Sequence, residues 1–532
     1  MIRAPRFAVL ALFVLLAVVH TWPLAQHPAV HSRVDNGDYG LNVWALDWVA
    51  HTLPTDPLHL FDANIFHPAR LTLAYSEPLI LQGTMAIPAA WLGVPAVATL
   101  NLVLLAGFAL SGWAFALLVH RETGSWLAGI VAGSAVAFNA HHLVRLTHIQ
   151  ALHLELVPLV FFALDQLLIT GRLRYAGFLG AALALQATAS IYLLLFTGWA
   201  AICAWMARLP EWRHRLRAAA AWMLVGGATC ALLLAPVLWP YVELASVQGL
   251  MRSSGEAQQC AATWTDYLYT GSRVHYEAWS YRFHESADAN FPGLTVTVLA
   301  LLALWGAGGR SPRTRMWLAV VLGSVLLSLL PHVPGFAWVH DSVPPLAAIR
   351  CYSRAGQMAL VGMAVLAGFG TARLLARVGR SRAATLLGVA LVALINIEAL
   401  RAPLTYRAFH GVPAIYDRLR DEPDAVVVEL PFHDDRVFFR NTEYMINATR
   451  HRHPIVNGYS GFAPPDFAAT TRTMREFPSE ATLALMRKLG VTHVVVHRTT
   501  GMEEHREAID ASPALQLLVE QDRIAIYRFV GH

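Results

Sequence analysis

The sequence has 532 residues, of which 56% are hydrophobic and only 14% are charged. This composition is typical of a polytopic membrane protein and excludes an ordinary soluble domain. The formal net charge of +5 comes from arginines in short loops between apolar segments, which is the distribution that the positive-inside rule describes. The basic balance is therefore no evidence for nucleic-acid binding.

Long apolar segments dominate the first 400 residues. A bilayer core of about 30 Å needs roughly 20 apolar residues in a helix. The first segment is interpreted as an uncleaved span, because no small-residue cleavage site follows it. We predict an α-helical polytopic membrane protein with about 11–13 transmembrane helices. The predicted segments are 7–24, 79–97, 99–119, 126–140, 151–169, 175–190, 191–207, 219–241, 291–307, 316–331, 355–372 and 383–400.

Arginine-rich loops set the predicted orientation in the membrane. The loops assigned to the cytoplasm by their arginines are 172–174, 208–217, 310–315 and 373–382. The loop 332–354 then lies on the outer face. With Arg121 also inside, strict alternation fails between 79 and 125, where Pro88 and Pro95 suit a bent or re-entrant helix. We therefore keep the 25–78 loop outside.

Two domains are predicted. Residues 1–400 form the transmembrane domain, with 25–78 as a first outer loop that contains interface helices and 242–290 as a second large outer loop. Charged residues return after Glu398, so residues 401–532 are predicted to be a soluble α/β domain on the outer face.

The predicted soluble domain contains short strand-like runs and one helical run. The strand-like runs are 426–430, 494–496 and 524–527, and the helical run at 478–489 stops at Gly490. The segment has neither a phosphate-binding glycine loop nor a nucleophile elbow. We therefore interpret it as a cap or docking domain and not as an independent enzyme.

The four cysteines show no metal-type spacing. Cys203 and Cys230 lie in predicted spans, whereas Cys260 and Cys351 lie in predicted outer loops. The sequence therefore allows one disulfide but predicts no disulfide framework.

The 25–78 loop is acidic and rich in histidine, and Asp35-Asn36-Gly37-Asp38 stands near its start. Leu41, Trp44 and Trp48 follow at helical spacing, with Asp47 on another face. This pattern predicts an amphipathic helix along the membrane interface. Either aspartate of the motif can simply be the N-cap of that helix.

A second polar cluster, residues 138–150, lies between two apolar segments. His141, Arg145 and His148 are spaced to share a helical face, where they can meet a phosphate or, with a carboxylate from the first loop, a metal ion. Phosphate contact is favoured, because histidines at helix ends are more often capping or interfacial residues than metal ligands.

A third cluster is Arg350 with Arg354, at the predicted outer start of the 355–372 span. Their i, i+4 spacing predicts that both point the same way, so they can clamp an anionic headgroup. Arginine at the end of a span can also be a simple anchor. An outer position runs against the positive-inside trend, which favours a function.

The general plan resembles the GT-C superfamily of integral-membrane glycosyltransferases, and shorter motifs resemble its bacterial YfhO-like branch. The plan comprises a first span, a long acidic outer loop, many further spans and an outer α/β domain. The motifs are Gly37-Asp38 with Asn42 and Trp44, Tyr75-Ser76-Glu77, residues 139–150, Phe291-Pro292-Gly293, Arg350 with Arg354, residues 457–461 and residues 489–496.

The resemblance implies an inverting sugar transfer from a polyprenyl-phosphate-linked donor to a glycan, lipid or protein acceptor at the outer face of the bacterial cytoplasmic membrane. It carries the acidic catalytic residue over to Asp38, with Asp35 as the alternative. Arg350, Arg354 and Arg145 are the candidates for the donor phosphate by their chemistry. Residues assigned to substrate binding are Asn42, Glu77, His141, His148 and Gln150. Some members use a divalent metal and others none, so the metal stays open.

A different class of function is a transport protein or a non-catalytic protein of envelope lipid or polysaccharide biogenesis. Transporters carry polar residues near the bilayer midplane, on broken helices and in repeated halves. Here the polar residues gather at one predicted face of the membrane, which favours the transferase.

Overall fold

The computed structural model describes residues 5–32, 37–249, 252–283, 288–379, 381–433 and 436–530. The chain forms two compact units. The first contains residues 1–27, 102–238 and 251–405, and the second contains residues 28–101, 239–250 and 406–532. The 25–78 loop thus belongs almost entirely to the same unit as the C-terminal segment, a grouping that the sequence did not predict.

The first unit is helical. Two of its helices, Ala96–Thr123 and Leu216–Gln248, continue into the second unit. Its other helices are Pro5–His20, Trp126–Ala137, Ala140–Val144, Ile149–Leu152, Val157–Thr170, Leu173–Ala189, Ile191–Ala207, Leu209–Trp212, Ser254–Gln259, Arg273–Tyr276, Leu294–Leu304, Pro312–Leu329, Phe336–Ser342, Pro344–Ala347, Gly356–Val378 and Arg382–Ala399. Short 3₁₀ turns in this unit are Leu24–Gln26, Trp264–Leu268, Ser280–Phe283, Gly306–Arg310, Leu330–His332 and Tyr352–Ala355.

Every predicted apolar segment coincides with a helix. Within the described residues, six helices are long and apolar enough to cross a membrane by length and composition. They are Ala96–Thr123, Trp126–Val144, Leu216–Gln248, Pro312–His332, Tyr352–Val378 and Arg382–Ala399. The remaining predicted segments correspond to shorter apolar helices, among them Arg6–His20, Val157–Thr170, Ile191–Ala207 and Leu294–Leu304. The polytopic helical fold class is confirmed.

The helix Gly356–Val378 forms the centre of the first unit. It packs against Leu294–Leu304, Pro312–Leu329 and Trp126–Ala137. The helix approaches Leu294–Leu304 closely at Gly370. A Cβ atom built on Gly370 would lie 1.8 Å from the carbonyl oxygen of Leu299, so a side chain cannot be placed there. Only glycine permits two helix backbones to pack at this distance.

The long uncharged stretch 175–207 divides into two helices, as predicted. The first ends at Ala189 and the second begins at Ile191. Ser190 lies between them and its hydroxyl accepts a hydrogen bond from the backbone N–H of Leu193 at 3.2 Å. This is an ordinary N-cap, which satisfies one backbone N–H of the first turn of the second helix.

The second unit combines short helices with two sheets. Its helices are Asp38–Thr55, Ile80–Trp91, Asp417–Arg420, Asn441–His451, Phe467–Met474, Glu480–Lys488, Thr500–Glu503 and Arg506–Asp510, with 3₁₀ turns at Pro57–His59, Thr72–Tyr75, Ala414–Tyr416 and Phe438–Arg440. A two-stranded antiparallel sheet pairs His31–Ser32 with Arg407–Ala408.

The larger sheet has four strands in the order Val427–Leu430, His493–His497, Ile524–Phe529, Leu515–Gln521. The first pair is parallel and the other two pairs are antiparallel. Three of these strands and the helix Glu480–Lys488 match the predicted runs. The strand Leu515–Gln521 was missed: it lies at the edge of the sheet, and its sequence shows no regular alternation of apolar and polar residues.

The 25–78 loop is joined to this sheet by backbone hydrogen bonds. Residues 455–457 lie beside the strand Val427–Leu430, since Val456 N–H donates to the carbonyl of Val427 at 2.9 Å. On the other side, Ile455 N–H donates to Asn64 at 2.9 Å, and Phe66 N–H donates to Asn457 at 3.0 Å. Two segments almost 400 residues apart in sequence therefore form one continuous backbone layer.

Candidate functional site

Asp38 is the first residue of the helix Asp38–Thr55, and Gly37 precedes it as the N-cap residue with φ 107°. The N-cap interpretation is therefore wrong for Asp38, whose carboxylate lies in the first turn. A negative charge there is stabilised by the helix dipole. Asp35, the alternative acid, lies outside the described residues.

The start of this helix packs closely on the C-terminal segment. A Cβ atom on Gly37 would lie 2.7 Å from Cβ of Phe439, and one on Gly40 would lie 2.8 Å from Cβ of Thr442. Both positions need glycine for this approach, and Gly37 needs it also for its positive φ. The backbone around Asp38 is thus fixed by residues from the far end of the chain.

The carboxylate of Asp38 accepts a hydrogen bond from the hydroxyl of Tyr459 at 3.1 Å. Both side chains are half-buried. Asn42 is buried one turn further along the same helix, and Glu77 is half-buried just before the helix Ile80–Trp91. These two predicted substrate-binding residues belong to the same unit as Asp38.

The polar face of the helix Asp38–Thr55 packs on protein. Asp47 accepts a hydrogen bond from Arg452 at 2.9 Å, and burial raises the pKa of Asp47 above its ordinary value although Arg452 opposes this. The helix lies against both Ile80–Trp91 and Asn441–His451. The amphipathic interpretation is corrected accordingly, because the face that was expected to meet water meets the C-terminal helix.

In the first unit, Asp288 is the buried acceptor around which other polar groups gather. Arg145 Nε donates to its carboxylate at 2.8 Å, and Arg145 Nη2 and the hydroxyl of Ser353 also donate to it. Burial alone would raise the pKa of Asp288, but the charge of Arg145 and the surrounding donors outweigh burial and hold this pKa far below its ordinary value. Asp288 is therefore ionised.

His141 lies near the same carboxylate, with its Nδ1 3.7 Å from Asp288. The helix Ala140–Val144 ends before Arg145, and His148 precedes the separate helix Ile149–Leu152. The prediction of one helical face for His141, Arg145 and His148 is therefore wrong, because the chain bends between two very short helices.

Two further predicted residues of this region have local contacts. The ring of His148 lies 3.1 Å from the hydroxyl of Thr147, measured at Nδ1. Gln150 is buried in the helix Ile149–Leu152, and its side-chain oxygen has no hydrogen-bond partner. A buried acceptor without a donor is costly.

Arg350 and Arg354 meet at Tyr192. The Tyr192 hydroxyl accepts the backbone N–H of Arg350 at 3.1 Å, and the guanidinium of Arg354 lies over the Tyr192 ring at 5.3 Å from its centroid. The two arginines do not share a helix, because Arg354 belongs to the 3₁₀ turn Tyr352–Ala355 and Arg350 precedes it. The prediction that their side chains point the same way stays a prediction, since Arg350 contacts Tyr192 through its backbone and Arg354 through its guanidinium.

Arg252 joins these residues from the 242–290 loop. Its Nη1 lies 3.7 Å from Glu256, and the same carboxylate oxygen lies 3.9 Å from Arg350 Nε. Burial and the charge of Arg350 lower the pKa of Arg252. We call Arg145, Arg252, Arg350 and Arg354 the arginine cluster. Its ion pairs among the described residues include those of Arg145 with Asp288 and of Arg252 and Arg350 with Glu256.

A disulfide holds this region together. Cys260 is bonded to Cys351, and the backbone N–H of Ser353 donates to the carbonyl of Cys260 at 3.1 Å. The disulfide that the sequence allowed is confirmed. It connects the loop that carries Arg252 to the segment that carries Arg350 and Arg354.

The described residues contain no group of three or more His, Cys, Asp or Glu side chains that could hold a metal ion. The histidines are instead paired within the fold, as for His153 with Glu155 at 2.8 Å and His275 with Glu398 at 2.7 Å. We therefore assign no metal ligand.

Sequence reasoning missed several residues of both regions. They are Asp288, Ser353, Arg252 and Tyr192 in the first unit, and Arg452 in the second. Tyr459 lies in the motif at residues 457–461, but the sequence assigned no role to it. Asp288, Ser353, Tyr192 and Arg452 lie far from their partners in sequence, so no local pattern could have identified them. Arg252 is different, because its i, i+4 spacing to Glu256 was a local signal.

Neither a protein-family model nor a curated protein sequence matches the chain. The structure is similar to that of the arabinofuranosyltransferase AftD from Mycobacteria, with a TM-score of 0.60, 15% sequence identity, and coverage of 99% of this chain and 40% of that one. A mutant of the same enzyme gives a TM-score of 0.58 at 16% identity, with coverage of 99% and 42%. The chain thus spans about two fifths of the length of these proteins. The fold is that of the GT-C membrane glycosyltransferases.

Proposed function

We propose that this protein transfers a sugar from a polyprenyl-phosphate-linked donor to an acceptor hydroxyl at the outer face of the bacterial cytoplasmic membrane, as a member of the YfhO-like branch of the GT-C superfamily. The observation that carries the proposal is the arginine cluster, in which Arg252 and Arg350 approach the same carboxylate oxygen of Glu256 and the guanidinium of Arg354 lies over the ring of Tyr192. Guanidinium groups bind phosphate through paired donors. The GT-C fold supports the same class of reaction.

Asp38 is the proposed general base. Its carboxylate takes the proton of the acceptor hydroxyl while the hydroxyl oxygen attacks the anomeric carbon. The bond between that carbon and the phosphate oxygen breaks, and the lipid phosphate leaves with the bonding electrons. A direct displacement of this kind inverts the anomeric centre. Asp35 remains the alternative base.

The departing phosphate gains negative charge, which positioned cations stabilise in the transition state. Arg350 and Arg354 are the proposed donor-phosphate residues, with Arg252 added to them. Arg145 stays in this set, although Asp288 already accepts from its Nε and Nη2. A guanidinium has five N–H groups, so it can serve a second anion.

The remaining proposed contacts are to the sugar, the acceptor or the lipid. Asn42, Glu77, His141, His148 and Gln150 are the proposed substrate-binding residues, and the acceptor is a glycan, a lipid or a protein. Gln150 has the clearest support, because its buried oxygen can accept from a hydroxyl of the ligand.

The test is transfer of labelled sugar from a polyprenyl-phosphate donor in membranes that contain the full chain, compared at equal expression. We expect Asp38→Asn to abolish transfer, because an amide cannot accept the proton. Asp56→Asn is the matched control, since Asp56 is an exposed carboxylate of the same loop that pairs with His59 at 2.9 Å, and we expect it to leave transfer unchanged.

Two other outcomes would contradict different parts of the proposal. Full activity of Asp38→Asn would overturn the assignment of the base and make Asp35→Asn the next variant. Absence of transfer by the wild type with every polyprenyl-linked donor tested would instead favour the transport or non-catalytic role in envelope biogenesis.

A further inference from the structure

Tyr459 is brought to Asp38 from a position 421 residues later in the chain. Its hydroxyl donates to Oδ1 of Asp38 at 3.1 Å. A phenol O–H is neutral at ordinary pH and donates a single hydrogen bond in a fixed direction. It therefore orients the carboxylate without competing for the proton that a general base must accept on its other oxygen.

The loop that carries Tyr459 is anchored to the first strand of the C-terminal sheet, Val427–Leu430. The side chain of Asn457 accepts from the backbone N–H of Glu429 at 2.8 Å and donates to the carbonyl of Glu429 at 2.9 Å. Asn457 is fully buried. This pair of bonds fixes the backbone two residues before Tyr459 to the strand Val427–Leu430.

The ring of Tyr459 is held as well. It lies 5.3 Å from the ring of Phe438, centroid to centroid. Gly458, next to it, packs against Phe66 so closely that a Cβ atom would lie 2.6 Å from that ring. Phe66 itself belongs to the segment that shares backbone hydrogen bonds with Asn457. The 25–78 loop and the C-terminal segment therefore support Tyr459 from two sides.

A cap or docking domain needs none of these features at Asp38. It would cover the transmembrane part with ordinary packing and would leave the candidate base to its own loop. Here a polar side chain from the C-terminal segment contacts the one carboxylate for which the proposed reaction has a use. Half-burial of both groups strengthens such a bond relative to one in bulk water.

We infer that Tyr459 is a positioning residue for Asp38, and that the C-terminal segment is in this way a working part of the transferase site. The inference rests on the proposed function. The hydrogen bond from Tyr459 restricts the orientation of the carboxylate that takes the proton of the acceptor hydroxyl in the proposed reaction. A hydrogen bond to the ionised form also favours that form, which keeps Asp38 available as a base at lower pH.

The experiment compares Tyr459→Phe with wild type in the full-length protein, using the same membranes, donor and acceptor. This substitution removes only the hydroxyl. We expect the rate at saturating substrate to fall about tenfold, while the donor KM stays unchanged, since the donor phosphate is bound elsewhere in the chain. We also expect the acidic limb of the pH profile to move to higher pH by about one unit, because a hydrogen bond to a charged group is lost.

Tyr444→Phe is the matched control. Tyr444 lies in the same unit, and its hydroxyl donates to the carbonyl of Pro431 at 3.0 Å. Tyr444→Phe also removes a tyrosine hydroxyl from the C-terminal segment, but it leaves the contact between Tyr459 and Asp38 in place. We expect the acidic limb of its pH profile to lie at the same pH as that of the wild type.

A wild-type rate and an unmoved acidic limb in Tyr459→Phe would overturn the inference, and so would equal losses in both variants with an unmoved limb. The proposed function is judged separately by the wild type and Asp38→Asn in the same assay. Suppose that the wild type transfers sugar, that Asp38→Asn abolishes transfer, and that Tyr459→Phe behaves as the wild type. The proposed function then stands, and only the role of Tyr459 is overturned. Absence of transfer by the wild type would remove both.

Discussion

Asp288, the buried partner of Arg145, shows how a charged residue depends on its surroundings. The side chain is 2% exposed, yet it is ionised because Arg145 and Ser353 donate to it. A buried charge is stable only while its partners remain. Asp288 in turn fixes the guanidinium of Arg145, so the two residues hold the segments 140–145 and 288–290 together. The pair has a structural role whether or not Arg145 also contacts a phosphate.

We expect Arg145→Ala to destabilise the protein strongly. It leaves the Asp288 carboxylate buried without its main partner, and loss of one member of a buried ion pair typically costs about 3–5 kcal/mol. The double variant Arg145→Ala/Asp288→Ala removes both charges and should recover part of this loss. Denaturation of the purified protein in detergent measures the free energies of unfolding.

The control for that series is Arg172→Ala, which changes an exposed arginine of the first unit and should leave stability nearly unchanged. The explanation is wrong if the double variant is as unstable as the sum of the two single variants, because independent losses would then replace the pairing of charges.

At the scale of elements, the sequence predicted the apolar helices and most strands but not how short elements bend. The helices around 175–207 could be separated because a polar Ser190 interrupts an uncharged run that is too long for one span. The prediction of one helical face within residues 138–150 was wrong, because helices of four or five residues leave no periodic pattern. Asp38, Arg350 and Arg354 could be selected only because charge is scarce in this chain.

The disulfide is the element that links the two segments of the arginine cluster. Cys260 and Cys351 are 91 residues apart in sequence, and a bond across such a loop restricts the unfolded chain. We expect Cys260→Ser/Cys351→Ser to lower stability by about 2–4 kcal/mol. We also expect it to raise the KM for the donor, because Arg350 and Arg354 flank Cys351 and lose their fixed positions.

Thermal unfolding and donor titration measure these two effects. Cys230→Ser is the control, since Cys230 is a free, half-buried cysteine, and we expect it to behave as the wild type. A double variant with the wild-type donor KM would show that Tyr192 and the local packing are sufficient to position the arginines.

At the scale of the whole molecule, backbone hydrogen bonds show which distant segments lie together, and hydropathy alone cannot show this. The sequence left a conflict in topology between residues 79 and 125. Asn64 and Phe66 exchange backbone hydrogen bonds with residues 455–457. We therefore expect the 25–78 loop and the C-terminal segment to lie on the same side of the membrane, as two outer segments would. Contacts between such distant segments could not be read from one sequence.

The arginine-rich loops predict that this side is the outer one, and cysteine labelling tests the prediction. In a background of Cys203→Ser and Cys230→Ser, we expect Lys488→Cys to react with a membrane-impermeant maleimide in intact cells. Arg310→Cys should react only after permeabilisation, because its loop is predicted to be cytoplasmic. Both residues are exposed, and Lys488 lies in the same unit as Asp38. The reverse pattern would place Asp38 in the cytoplasm, where nucleotide sugars are available, and would remove the reason to expect a lipid-linked donor.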